Sequence, residues 1–547
     1  MKLLKYFLEI SQGKREVSTI KIILFTSLFF VIFDNVKFFQ NVLSVYPLTL
    51  SNAGFLISLA VGITSLIVFL LSLVCSKYTT KPLLIILLLI SSLTAYFMDT
   101  YNVVIDDIMI QNMVETNWAE TSDLLSLNLL YYLLFLGILP SVLIYRIKIT
   151  AFPLKKTAIY KTRDIAISVV VLFVMVFTFS KFYTSFFREH KPLRYYTNPT
   201  YYIYSSTRFV NSIFNNRDII VMPIGMDAQV VEPDDESHDE HTELVIVIVG
   251  EAARADHFSL NGYARETNPK LKNENIINFS NMYSCGTSTS YSVPCMFSMF
   301  PQKKFSNRKG DETENILDVL SHTGFVDILW RDNNSDSKGV ATRVRYENYK
   351  TPENNTICYE GECRDEGMLV GLDQFIAEHK GRDILIVLHQ MGNHGPAYYK
   401  RYPKEFERFT PVCMTNQLEK CKNNEIINAY DNAIVYTDYF LSKTIDFLKK
   451  YEATHETAMI YLGDHGESLG ENGVYLHGLP YVIAPEAQKH IASLMWFGNE
   501  MSKDIDIENV RQKKDNTVSH DNLFHTLLGI FEVKTEFYDK DMDILQN

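Results

Sequence analysis

A surplus of positive charge is missing from this chain. Its 547 residues carry 52 Lys and Arg against 64 Asp and Glu, a formal net charge of −12. That balance excludes a nucleic-acid partner held by a basic surface, and it gives no long-range steering to an anionic substrate. Long apolar runs are absent after residue 183 and crowded before it, at about 20–38, 52–75, 82–98, 124–145 and 165–182. Each approaches the roughly 20 residues that cross a bilayer as a helix, which predicts a membrane domain of five helices over 1–182. No small-residue cleavage site follows the first run, so it reads as a retained anchor rather than a signal peptide. Lys and Arg are scarce in alternate loops, and the loop at 99–122 is acidic. The other loops hold Lys77 and Lys81, then Arg146, Lys148, Lys155, Lys156, Lys161 and Arg163, and the N-terminus holds Lys2, Lys5, Lys14 and Arg15. Positive charge stays inside, so the N-terminus is expected in the cytoplasm and everything after 183 outside.

Cysteine is also sparse, seven in all. Cys75 falls at the inner end of the second run. The other six fall outside as close pairs, Cys285/Cys295, Cys358/Cys363 and Cys413/Cys421. An even number of external thiols in an oxidising compartment predicts disulfides. Six cysteines allow fifteen connectivities, and proximity selects the three local pairs.

From 183 to 240 runs a bridge. "YTSFFREHKPLRYY" mixes aromatic and basic residues as interfacial segments do, and "VVEPDDESHDEH" is an acidic linker without apolar periodicity. The remainder, 241–547, reads as one soluble domain. "LVIVIVGE" (244–251), "FVDILW" (325–330), "DILIVLH" (383–389), "AMIYLGD" (458–464) and "ASLMWFG" (492–498) are apolar runs of strand length. They alternate with helical patterns, the clearest at 425–450 with Ile427, Tyr430, Ile434, Leu441, Ile445 and Leu448 near one face. The implied fold is α/β, a mostly parallel sheet covered by helices on both faces.

Ligands of such sheets bind at the carboxyl ends of the strands. There the sequence places Glu251, then "RDNNSDSKG" with Ser335 and Lys338, then His389 and "GNHGP" with His394, then "GDHGES" with Asp464 and His465, and later His477 in "YLHG". Glu251, Asp464 and His465 form a mixed oxygen and nitrogen set that suits Zn²⁺ with one position open. A metal of that kind activates a weak hydroxyl nucleophile. "SCGTSTSYSVPC" (284–295) offers several hydroxyls, from Thr287 to Ser292, inside a cysteine pair. Pro294 predicts the first turn of a helix through "CMFSMF". A hydroxyl just before that helix would have free backbone amides near it to hold a phosphate.

Five stretches, "VGEAARADHFSLNGYARETNP", "CGTSTSYSVPCMFS", "QMGNHGPAYYKRYP", "GDHGESLGENGVYLHG" and "SHDNLFHTLLG", resemble the motifs of the bacterial phosphoethanolamine transferases that modify lipid A. That family lies in the alkaline-phosphatase/sulfatase superfamily and includes the mobile colistin-resistance enzymes. The five-span topology is similar too, so the resemblance covers nearly the whole chain. It implies that the nucleophile is the second Thr of Cys-Gly-Thr-x-Thr, Thr289, and that Glu251, Asp464, His465 and Thr289 bind one zinc ion, with a second ion possible. It implies a phosphate-facing Lys338 and outer histidines His394 and His477, whose role as phosphate ligands, metal ligands or proton shuttles stays open. The implied donor is phosphatidylethanolamine and the acceptor a lipid A phosphate, at the outer side of a bacterial inner membrane, with the enzyme a monomer. The alternatives are transfer to a core sugar (Kdo or heptose) and a membrane-bound hydrolase of the sulfatase or phosphodiesterase kind. Two departures stand out: Ser337 and Ala341 lie where some members carry a further cysteine pair, and "GEAAR" replaces Gly-Glu-Thr-x-Arg.

In the acidic loop, Asn112, Thr116 and Glu120 recur every four residues, one face of a helix. Spacing alone reads as a solvated face. The resemblance implies contact with the donor's ethanolamine.

Overall fold

The computed structural model describes residues 16–115, 124–188, 190–215, 220–231 and 242–546. They form two compact units, one of 1–110 with 125–210 and one of 111–124 with 211–547.

The first unit is helical. Helices α3 (Leu50–Val74), α4 (Thr80–Tyr101) and α6 (Leu127–Arg146) are long and apolar enough to cross a membrane. The first run does not form one straight helix as expected. It breaks into α1 (Thr19–Phe33) and α2 (Val36–Val45), bent by 58°. The break has a chemical cause. The Asn35 amide donates to the Phe30 carbonyl at 2.9 Å and to that of Asn198, and accepts from the Asn198 N–H at 2.9 Å. A side chain that competes for backbone partners in this way ends a helix. The fifth run lies in α7 (Leu154–Thr178), whose first half carries Lys155, Lys156, Lys161, Arg163 and Asp164. By length and composition the described residues thus offer three helices able to cross a membrane, or four if the bent pair is one span; α7, which holds the fifth expected run, is not among them. The bridge after 183 is helical as well, with α8 (Ser180–Arg188), a 3₁₀ turn (Lys191–Tyr196) and α9 (Thr200–Asn215). Helix α5 (Asp107–Glu115) carries Asn112. Thr116 and Glu120 lie outside the described residues.

The second unit is built on a seven-stranded sheet. Its strands are β1 (Thr242–Gly250), β2 (Ile276–Asn278), β3 (Val326–Asp332), β4 (Arg345–Asn348), β5 (Asp383–His389), β6 (His455–Gly463) and β7 (Ser493–Phe497), in the order β2-β7-β6-β1-β5-β3-β4. The pairs β6–β1, β1–β5, β5–β3 and β3–β4 are parallel, whereas at one edge β7 pairs antiparallel with both β6 and β2, so that β7 alone runs against the other six. The central strands are buried along nearly their whole length, as strands covered on both faces must be. Helix α11 (Asn423–Leu448) supplies the expected helical layer but is buried on nearly all sides rather than along one stripe, with Ala429, Tyr430, Ile434 and Leu441 in the interior. The edge strands β2 and β4 are short and were not legible as strands; "RYEN" has no apolar alternation.

Register then sets the site. Gly250 pairs with Gly463, His389 with Val249, and His389 with Asp332. Four parallel strands thus end level, and the residues after them leave from one edge.

Cysteines pair as Cys285–Cys295, Cys358–Cys363 and Cys413–Cys421, and Cys75 is free and buried. Alkylation of the denatured, unreduced protein is expected to label one thiol per chain, in the peptide containing Cys75. Three or more labelled thiols in the intact mass would refute this pairing.

Candidate active site

The hydroxyl loop enters the site as the start of a helix. Helix α10 spans Thr289–Met296, with Ser288 as its N-cap. The expectation that Pro294 opens a helix is thereby corrected: Pro294 lies inside α10, and Thr289 is its first residue. Only Cys295 and Met296 of the helix follow Pro294. The backbone amides of Thr289 and Ser290 have no acceptor among the described residues, the normal condition of a helix N-terminus.

Three of the loop's hydroxyls are tied to carbonyls, while that of Ser290 is buried without a partner among the described residues. Thr287 Oγ1 donates to the Leu479 carbonyl at 2.6 Å. Ser292 Oγ donates to the Asp464 carbonyl at 2.5 Å, and Tyr291 reaches the Phe305 carbonyl at 3.3 Å. Thr289 is only half-buried among buried neighbours, and its Oγ1 lies 3.0 Å from Glu251 Oε2 and 3.3 Å from His465 Nε2.

Glu251, Asp464 and His465 are fully buried. Each spends one polar atom on the protein and leaves the other facing the same point. Glu251 Oε2 accepts from Asn334 Nδ2 at 2.9 Å, while Oε1 has no partner. Asp464 Oδ1 accepts from the amides of Ala252 (3.1 Å) and His465 (2.7 Å), while Oδ2 has none. His465 Nδ1 lies 2.8 Å from the Gly466 carbonyl, which can only accept, so Nδ1 carries the proton and Nε2 presents its lone pair. Around that Nε2 stand Glu251 Oε1 at 3.4 Å, Asp464 Oδ2 at 3.4 Å and Thr289 Oγ1 at 3.3 Å. A tetrahedral ion with bonds of about 2.0–2.1 Å holds its ligands about 3.3–3.4 Å apart. The unpartnered oxygens and the spacing fit a single divalent cation with tetrahedral preference.

The electrostatics agree. Burial first, and then the charge of Asp464, pushes the Glu251 carboxyl well above its ordinary range. Two buried carboxylates repel unless a cation lies between them. Burial holds the His465 imidazole below its usual value, in the neutral form a metal ligand needs.

The outer residues form a second ring. His477 Nδ1 lies 2.7 Å from Glu467 Oε2, and Tyr398 donates to the other Glu467 oxygen. The His477 ring is 4.2 Å from that of His465 and 5.8 Å from that of His394. One ligand atom each of Glu251, His465 and His477 also comes within 4.8 Å of the other two. His394 has an unpartnered Nδ1 and is held neutral by burial first, then by the charge of Arg401. Lys338 adopts φ 51° and pairs with Asp336 at 3.4 Å, its side chain mostly buried. Ser335 sits beside Asn334, donating its amide to Asn334 Oδ1 at 2.6 Å. His389 is turned away from this ring and bonds Asp332 at 2.9 Å.

Several supports escaped sequence reading. Asn334 holds both Glu251 and the Gln390 carbonyl. His520 accepts from the Cys285 amide at 3.0 Å and, through its other nitrogen, bonds the Gly463 carbonyl at 2.9 Å, tying the nucleophile loop to the end of β6. Gly392, at φ +47°, lets its backbone lie against Glu251, where a Cβ would come within 3.0 Å of that residue's backbone. Asn334, Glu467 and His520 all lie in stretches that had drawn notice, but the partners of Glu467, Asn334 and His520 are 10, 83 and 235 residues away in sequence, respectively.

Residues 243–533 match the sulfatase family, and residues 63–213 match the family described as phosphoethanolamine transferase EptA/EptB. The chain is 44% identical to the phosphatidylethanolamine transferase Mcr-2 of Escherichia coli over 93% of this chain and 94% of that protein. It belongs to the phosphoethanolamine transferases. It is also 39% identical to phosphoethanolamine transferase EptA of E. coli K12 over 94% of each chain. The structure of the integral membrane lipooligosaccharide phosphoethanolamine transferase A (EptA) from Neisseria meningitidis superimposes with a TM-score of 0.92 at 32% identity, covering 97% of this chain and 99% of that one. The transferase thus shares the membrane domain and the alkaline-phosphatase-like catalytic domain of that structure.

Asn334→Ala is expected to lower divalent-metal affinity by about 10–100-fold, because it frees the Glu251 carboxylate to rotate. Zinc titration of purified protein checks this, with the thermal midpoint as a control. Unchanged affinity would remove Asn334 from the site.

Proposed function

We propose that this transferase moves phosphoethanolamine from phosphatidylethanolamine to a phosphate of lipid A in two displacements at Thr289. The observation that carries the reading is the position of Thr289 Oγ1, in contact with both Glu251 and His465, while Thr287 and Ser292 are tied to carbonyls. In the first displacement the Thr289 oxygen attacks phosphorus and the bond from phosphorus to the diacylglycerol oxygen breaks. A phosphoethanolamine ester on Thr289 remains. In the second, a lipid A phosphate oxygen attacks that ester and the Thr289 oxygen leaves.

Glu251, Asp464, His465 and Thr289 would hold Zn²⁺, which when bound lowers the pKa of a coordinated hydroxyl and neutralises charge on phosphoryl oxygens. The chain's own residues do the rest. Glu251 Oε2, 3.0 Å from Thr289 Oγ1, accepts the hydroxyl's hydrogen bond and keeps it aimed. The free amides of Thr289 and Ser290 receive a phosphoryl oxygen. Lys338 and the neutral His394 meet the remaining oxygens, and Ser335 lines the same side. His477, held by Glu467, is placed to exchange a proton with the departing or arriving oxygen. Asn112, Thr116 and Glu120 would receive the donor's ammonium, a carboxylate near the membrane being less screened than one in bulk water.

The net charge of −12 withholds long-range steering from two phosphate-bearing substrates. Anchoring in the inner membrane supplies encounter instead, with the catalytic unit in the periplasm and the enzyme acting as a monomer. Adding an ethanolamine ammonium reduces the negative charge of the surface and so weakens binding of cationic peptides such as polymyxin.

Thr289→Ala is expected to lower transfer by at least about a thousandfold while leaving the fold intact. The wild-type enzyme given phosphatidylethanolamine without acceptor is expected to carry one phosphoethanolamine group on the Thr289 peptide, read by mass spectrometry. A modified Thr287 or an active Thr289→Ala protein would overturn the assignment. Chelation is expected to abolish transfer, with Zn²⁺ restoring it and Mg²⁺ failing to, because imidazole with carboxylate is a poor Mg²⁺ set. Equal rescue by Mg²⁺ would count against zinc.

A further inference from the structure

The first unit contains two neighbouring cavities lined by none of the residues named in the proposed transfer. One, of about 500 Å³, is a groove between α1, α3 and α7, walled by residues such as Leu24, Leu28, Val61, Val68, Ile167 and Val171. Its rim is exposed and apolar: Leu24, Leu28, Ile32 and Ile167 are 38–60% exposed, so the groove opens toward hydrocarbon rather than water. The second cavity, of about 240 Å³, shares Ile20 and Asp164 with the first. Its lining is mixed, with Ile23 and Phe152 beside Ser72, Lys77, Lys161 and Arg163. Both volumes together fall within the roughly 300–1,000 Å³ of ligand pockets. An apolar slot that continues into a cationic chamber matches a lipid with its chain in one and its head in the other.

We propose that this pair of cavities binds one anionic phospholipid, a phosphodiester lipid without a headgroup amine, in the cytoplasmic leaflet. The leaflet follows from the basic loops: Lys77 and Arg163 belong to the two segments whose positive charge marks the inner side. The headgroup class follows from counting charges around the chamber. Three cations face one carboxylate, Asp164, and its Oδ1 already accepts two N–H groups from Arg163. Among the described residues no other carboxylate lines the chamber, so an ethanolamine ammonium would find no counter-charge from them and two cations besides. Lys161 donates to the Leu73 and Cys75 carbonyls at 2.9 and 3.3 Å, which leaves one of its three N–H donors for a phosphate oxygen. Lys77 meets no carboxylate among the described residues. Ser72 Oγ is buried and has no partner although it lines the chamber. A buried hydroxyl without a hydrogen bond is costly, and a headgroup oxygen would satisfy it. The site is separate in chemistry from the donor site of the transfer reaction, which must accept an amine.

The test uses the full-length protein in mixed micelles holding equal amounts of phosphatidylglycerol, phosphatidylethanolamine and phosphatidylcholine, with retained lipid read by native mass spectrometry. One phosphatidylglycerol per chain is expected to be retained about tenfold over either zwitterionic lipid. A basic residue near a lipid surface contributes about fivefold, so Lys77→Gln with Lys161→Gln is expected to erase that preference. Ala60→Phe, which fills the groove and leaves the cations in place, is expected to lower retention of phosphatidylglycerol at least fivefold. Equal retention of the three lipids by the wild-type protein would overturn the proposal, and needs no variant to fold. Preference for phosphatidylethanolamine would overturn it as well, and so would an undiminished preference in the folded double variant.

Discussion

Two carboxylates buried side by side govern the catalytic unit. Glu251 and Asp464 leave adjacent parallel strands at the paired glycines Gly250 and Gly463, and neither reaches solvent. Such a pair is stable only with a cation or a shared proton. The surrounding structure is arranged for the cation. Asn334 and the Ala252 and His465 amides take one oxygen of each acid, which turns the other oxygens toward His465 Nε2. Satisfying half of each carboxylate fixes its rotation, and a ligand set with fixed rotations binds without first being ordered.

The nucleophile depends on the same pair. In the proposed mechanism Thr289 acts because it is placed at the edge of that ligand set, and the loop that carries it is held from three directions. The Cys285–Cys295 disulfide closes it on itself, Ser292 ties it to the Asp464 carbonyl, and His520 ties Cys285 to Gly463. A hydroxyl held this way loses little freedom on reaching a phosphoryl group. The outer histidines are less confined. His477 rests on Glu467, whereas His394 keeps a nitrogen without a partner, which suits groups that meet a substrate rather than a metal.

The membrane unit sets the other constraint. An enzyme of net charge −12 has no attraction at a distance to exploit toward the phosphate-bearing lipids proposed as its substrates. In the proposed reaction, recognition falls to a few basic groups and to sharing a bilayer with both substrates. The break at Asp34 and Asn35 and the charged first half of α7 show that this unit is not a plain bundle of apolar rods. Polar groups placed inside it find specific partners, as between Asn35 and Asn198.

The apolar runs, the strand-length stretches from "LVIVIVGE" to "ASLMWFG" and the cysteine pairs were legible in the sequence because each is a local pattern. Hydrophobic length, period and proximity need no knowledge of the fold. The strand-edge rule likewise brought Glu251, Asp464 and His465 together, since it depends only on strand direction. The break in the first span was not legible, because it depends on an asparagine 163 residues away. Nor were the edge strands β2 and β4, whose pairing comes from neighbours rather than composition. The sequence offered several hydroxyls of equal chemistry between Cys285 and Cys295, and the resemblance alone singled out Thr289. Tertiary structure distinguishes them by partner: carbonyls of residues 464 and 479 occupy Ser292 and Thr287, and residues 251 and 465 face Thr289. Residue type determines which reactions a side chain can perform. Which of several like side chains is left to perform it is decided by hydrogen bonds between residues far apart in sequence, and these exist only after the strands have paired in register.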